Sequence, residues 1–138
     1  MRTMKLIGFC LAAYLPVLAF AASIAPVLGE WALRKECGAF SQAGMGDCLA
    51  KKAENSQKVL RQAEEEVASI LSKWDEDNKY VSLAKAKVTA SNKDFAEYRD
   101  TQGEFLASLS GGGAGNAREI RRLACVSELN NRRAEQLY

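Results

Sequence analysis

The chain contains no histidine, which removes the usual general base, the commonest zinc ligand and every Ser-His or Cys-His nucleophilic arrangement. Carboxylate pairs occur, Glu97 with Asp100 and Asp75 with Asp77. An acid–base pair needs a cleft that raises one pKa, however, and these residues stand among other solvated charges. The run Ser110-Gly111-Gly112-Gly113-Ala114-Gly115 has no strand signal before it and no Gly-Lys-Ser/Thr after it, so it reads as a connector rather than a phosphate cradle. The acidic run at Asp75 to Asp77 lacks the ligand spacing and closing glutamate of a calcium loop. The sequence therefore predicts no catalytic residue, no metal site and no cofactor: the chain reads as a non-enzyme.

Cysteine and arginine chemistry remains. Of the four cysteines, Cys10 lies in an N-terminal segment with the marks of a signal peptide: Arg2 and Lys5, an apolar run over Leu6–Phe20, and the small-x-small pattern Ala19-Phe20-Ala21. Phe9 stands where a lipid-attachment motif wants a small residue, so Cys10 is expected to leave with the signal. Cleavage after Ala21 gives residues 1–21 as signal peptide and 22–138 as one domain, periplasmic or secreted, with no stable membrane anchor. Export places Cys37, Cys48 and Cys125 in an oxidising compartment. Three thiols give one disulfide and one free cysteine; any pair is open, with Cys125 favoured as a member because its bridge would tie a third helix to the rest. No Cys-x-x-Cys pair suggests redox catalysis. Arg99, within Phe95-Ala96-Glu97-Tyr98-Arg99-Asp100, can make a two-pronged bond to a carboxylate, either on another helix as a lock or on a partner.

The elements that must position these groups are helices. The whole chain has 138 residues, 48% hydrophobic and 26% charged, enough for one core. Removing residues 1–21 takes two of the 19 Lys and Arg residues and none of the 17 Asp and Glu, leaving 17 of each. A balanced chain with no basic block has no pull on nucleic acid. From Ser41, a candidate N-cap, to Trp74, apolar residues recur at helical spacing, among them Met45, Leu49, Leu60, Ala63, Val67 and Leu71. After the turn formers Asp75-Glu76-Asp77-Asn78, a second period runs from Tyr80 to Leu109, and the short connection predicts two antiparallel neighbours. The glycine run ends it. Asn116 is the expected cap of a shorter third helix carrying Ile120, Leu123, Ala124, Leu129, Ala134 and Leu137. For Ser23–Phe40 the sequence allows a helical turn over Ala32–Glu36 that lays Trp31 and Leu33 on the bundle, or a loose arm. The expected fold is all-α: an up-down-up three-helix bundle with two long helices, disulfide-linked at the end where the glycine loop lies.

The order of these features resembles the LprI-type lysozyme inhibitor family, formerly a domain of unknown function. The resemblance rests on Cys37 and Cys48 around Ser41-Gln42-Ala43-Gly44-Met45-Gly46-Asp47, the segment Phe95, Tyr98, Arg99, Asp100, the glycine-rich loop, and Cys125 followed by Arg133 and Leu137. It covers essentially the whole mature chain. This sequence departs from the pattern at Phe95 (usually Trp), Asn92 (usually Gln), Asn130 (usually Thr) and Gly103, which stands where a further cysteine is expected. The resemblance implies an exported cell-envelope binding protein, lysozyme inhibitor-like, whose partner is a protein, a c-type or other lysozyme. Such an inhibitor must cap a cleft lined by carboxylates, for which Arg99, Arg118 and Arg121 are the candidate partner-binding residues. The alternative is a structural or chaperone-like periplasmic helical protein with no lysozyme activity.

Overall fold

The computed structural model describes residues 27–112 and 115–138; the expected signal peptide lies outside them. Every regular element among the described residues is helical: α1 (Glu30–Glu36), a 3-10 turn (Cys37–Ala39), α2 (Gln42–Ser72), α3 (Asn78–Ser108) and α4 (Gly115–Leu137). The all-α class with two long helices and a disulfide is as expected, but there are four helices rather than three.

The ends follow local chemistry. Ser41 caps α2, its hydroxyl accepting the Gly44 N–H at 3.2 Å, and Asp77 caps α3 by accepting the Lys79 N–H at 2.8 Å. Trp74 falls beyond α2, in the connection that the cluster Asp75–Asn78 predicts. Past α3, Gly111 has φ +59°, a left-handed conformation that closes the helix and that a side chain would resist. Asn116 is not the cap of α4, since the helix already starts at Gly115. The uncertain segment before Cys37 resolves as α1, whose first amide, Glu30 N–H, donates to the Glu128 carboxylate on α4 at 2.6 Å. A negative side chain at a helix N-terminus satisfies both an orphan donor and the helix dipole. Of the two side chains expected on the bundle, Leu33 is buried, whereas Trp31 is 67% exposed with the Lys35 ammonium 5.0 Å from its ring centre. A seven-residue helix presents one narrow face, and Leu33 occupies it.

The expected antiparallel neighbours, α2 and α3, meet each other far less than either meets α4. The reason is the distribution of burial: α4 contributes Ile120, Leu123, Ala124, Cys125, Ser127, Asn130 and Ala134, whereas α3 contributes only the small residues Gly103 and Ala107. Small residues let another backbone come close. A Cβ at Gly103 would stand 3.3 Å from both Arg122 Cγ and Val126 Cγ2, so α4 rests directly on α3 there. One apolar cluster joins Leu33, Cys37 and Leu49 to Ile120, Leu123 and Ala124; a second joins Leu60 and Ala63 to Ala134, with Phe95 and Leu137 against it. Rising numbers on α2 thus meet rising numbers on α4, so the two run parallel. On α3 the order reverses, Gly103 meeting Arg122 and Ser91 meeting Arg133. No residue between Ala63 and Gly103 is buried: the core lies in the half of the molecule that α4 reaches.

Candidate partner-binding site

The disulfide joins Cys37 to Cys48, leaving Cys125 free and buried. One bridge and one free thiol are thus found, but Cys125 is not in the bridge. It lies on α4 near the N-terminus of α1, and burial, reinforced by the Glu30 and Glu128 carboxylates, pushes its thiol up to about 11. A thiol held protonated is a poor nucleophile.

The six motif residues on α3 and α4 mostly join helices. The Arg99 side chain is 15% exposed; its Nη1 donates to Gln57 Oε1 at 2.9 Å and Asn130 Oδ1 at 3.3 Å, while Nε donates to Asp100 Oδ1 at 2.8 Å. Fully buried Asn130 extends the layer by donating to Ser56 Oγ at 3.1 Å. α2, α3 and α4 are therefore linked by one polar network, and the Arg99 guanidinium is engaged within the chain, which favours the lock over the partner contact. Arg133 Nη2 donates to Ser91 Oγ at 2.8 Å and Asn92 Oδ1 at 2.9 Å, with its guanidinium 5.7 Å from the Phe95 ring centre. Leu137 packs on the cluster around Leu60. Tyr98 alone among the motif's aromatic and apolar residues is more than half exposed.

Arg118 and Arg121 are placed differently. Both stand near the start of α4 beside the glycine loop, Arg118 exposed and Arg121 half-buried, and neither forms an ion pair among the described residues. Their neighbour Arg122 is held by Glu119, at 2.9 Å through Nε and 2.6 Å through Nη2. That hydrogen-bonded pair keeps the Glu119 carboxyl below its ordinary range and raises the Arg122 guanidinium. Between them Ile120 is buried in the cluster with Leu33, Cys37 and Leu49, so the disulfide-bearing turn backs this end of α4. Two uncommitted guanidinium groups on a helix end can meet carboxylates without ordering any backbone, the cost being the rotamer freedom of the two side chains.

Two features were not legible from spacing. Asn130 and Ser56 look like surface residues in a polar sequence, and only three converging helices bury them. A cleft of about 650 Å³ is lined by Val27, Leu33, Val59, Ala134 and Tyr138 with Asn131 at its wall; it combines three elements far apart in the chain. Among the described residues no cluster of three or more His, Cys, Asp or Glu could hold a metal ion, and no helix is long and apolar enough to cross a membrane.

What the geometry defines is a small, disulfide-fastened helical domain whose motif charges are largely spent on holding helices together, leaving one arginine-bearing end open. Residues 34–137 match the family model described as Lysozyme inhibitor LprI, and the chain belongs to that family. No curated protein and no solved structure matches it.

Proposed function

We propose that the mature chain, residues 22–138 after loss of the signal 1–21, is a cell-envelope protein that binds and inhibits a lysozyme through the Arg118 and Arg121 end of α4. The observation that carries the site is that Arg118 and Arg121, one turn apart at the start of α4, make no ion pair among the described residues, whereas Arg34, Arg99, Arg122, Arg132 and Arg133 are engaged within the chain; Arg61, also without an ion pair, stands alone on α2. A glycoside hydrolase of this kind works with a pair of carboxylates flanking the scissile bond. A guanidinium presented from a rigid end matches such a carboxylate in charge and in planar geometry. Inhibition of this sort needs no catalytic group on the inhibitor.

The test is a cell-wall lysis assay with lysozymes of several types, comparing the mature protein with an Arg118→Ala/Arg121→Ala variant of unchanged helicity. Truncating a buried charged contact costs about 2–5 kcal/mol, so inhibition should weaken by at least about 30-fold. Equal inhibition by the variant would move the site elsewhere, and no inhibition of any lysozyme by the parent would remove the function. Export has its own check: the envelope fraction should yield a chain beginning between Ala22 and Glu30 by mass spectrometry.

The alternative of a structural envelope protein is favoured by one observation, the exposed apolar side chains around the α2–α3 connection.

A further inference from the structure

The far end of the α2–α3 hairpin lacks tertiary cover. α4 ends at Leu137, with Tyr138 beside Glu66, so Val67–Ser72 of α2 and the first turns of α3 continue past it. Four large apolar side chains cluster in sequence around this tip and are all about half exposed or more: Ile70 at 64%, Trp74 at 47%, Tyr80 at 52% and Leu83 at 54%. Together they leave about 400–500 Å² of mostly apolar residue surface in water, a good part of the ~800 Å² that each partner of a standard interface buries.

The charges of the hairpin are segregated along the chain, the acidic ones on the last turns of α2 and in the connection, the basic ones on the first half of α3. From Glu64 to Asp77 the chain carries Glu64, Glu65, Glu66, Asp75, Glu76 and Asp77 against the single Lys73. From Asn78 to Lys93 it carries Lys79, Lys85, Lys87 and Lys93 and no carboxylate. No ion pair joins the two sets within the chain. A surface of one sign would call for a partner of the other. A surface that presents both signs on one hairpin is complementary to itself under two-fold rotation, the acidic end of α2 and the connection of one copy lying along the basic first half of α3 of the other.

We propose that this tip is the interface of a homodimer, in which two α2–α3 hairpins complete a four-helix bundle and bury Ile70, Trp74, Tyr80 and Leu83. Two helices alone cannot cover side chains exposed on both of them; four can. The interface lies at the opposite end from Arg118 and Arg121, so the dimer presents two arginine ends pointing away from each other, and its existence does not depend on lysozyme binding.

Sedimentation equilibrium of the mature chain, up to about 200 µM, tests it. The parent should sediment as a dimer. Ile70→Glu and Leu83→Glu should each weaken association by at least about tenfold, with the helical circular dichroism retained. Glu64→Lys/Glu65→Lys and Lys85→Glu/Lys87→Glu should each weaken it as well, and an equimolar mixture of these two variants should recover a mixed dimer, a result that a merely misfolded variant could not give. A monomeric parent throughout the range, a dimer indifferent to Ile70→Glu and Leu83→Glu, or charge variants that do not recover association on mixing would each overturn the proposal.

Discussion

Asn130 is the residue on which most of the internal polar chemistry turns, because among the described residues it alone touches both the Ser56 hydroxyl and the Arg99 guanidinium. Asn130→Ala removes one donor and one acceptor in a fully buried place and leaves their partners short. The expected loss is about 1–3 kcal/mol, read as a lower urea midpoint with an unchanged m-value; a loss near zero would mean that water replaces the amide. At Cys125 the sign of the pH effect is fixed by the direction of its shift. The folded state holds the thiol proton more tightly than the unfolded state, up to about 11 against an ordinary 9.0. The stability this contributes is whole below about pH 9 and is lost as the pH rises through the folded value. The parent should therefore lose stability across that window faster than Cys125→Ala, and parallel pH profiles would show that the thiol titrates freely. The Ser41 cap and the locking capacity of Arg99 were legible in the sequence because each follows from local geometry or from the side chain's own shape. The free state of Cys125 was not: pairing depends on which thiol α1 brings to α2, and nothing in spacing states that.

At the scale of elements, helical periodicity located α2 and α3 to within a few residues because apolar rows three and four apart need no tertiary information. It misjudged α4. The buried face of that helix includes Ser127 and Asn130 beside Leu123 and Ala134, so its apolar row looks short and weak although both long helices lean on it. It also left α1 open, since a single buried leucine and a backbone bond to a residue 98 positions away give no periodic signal. The Cys37–Cys48 bridge, spanning 11 residues, fixes how α1 meets α2. By loop-closure entropy its removal should cost about 2–3 kcal/mol. Cys37→Ser/Cys48→Ser should accordingly melt at a lower temperature while keeping most of its helicity, because the contacts of α4 with α2 and α3 do not pass through the bridge. Complete loss of helicity would show that α1 and its turn are required for folding itself.

For the molecule as a whole, the all-helical class and the family pattern were legible in the sequence, while the uneven distribution of the core emerged only in three dimensions. Burial is concentrated from Leu33 to Ala63, at Gly103 and Ala107, and along α4; the rest of two 31-residue helices has none. Leu60, only 2% exposed, belongs to the apolar cluster with Ala63 and Ala134, and Leu60→Ala should cost about 2–5 kcal/mol in urea unfolding. The core's uneven spread has a dynamic consequence. Amides around Leu49, Leu60 and Leu123 should exchange with deuterium only through global unfolding, whereas those from Val67 to Val88 should exchange through local opening of the tip, at a much smaller free energy. If two tips pair, the slow core amides keep their rates at every protein concentration, while the fast set becomes slower as the protein is concentrated. The helix hairpin would then report its own occupancy through the lifetime of its backbone hydrogens.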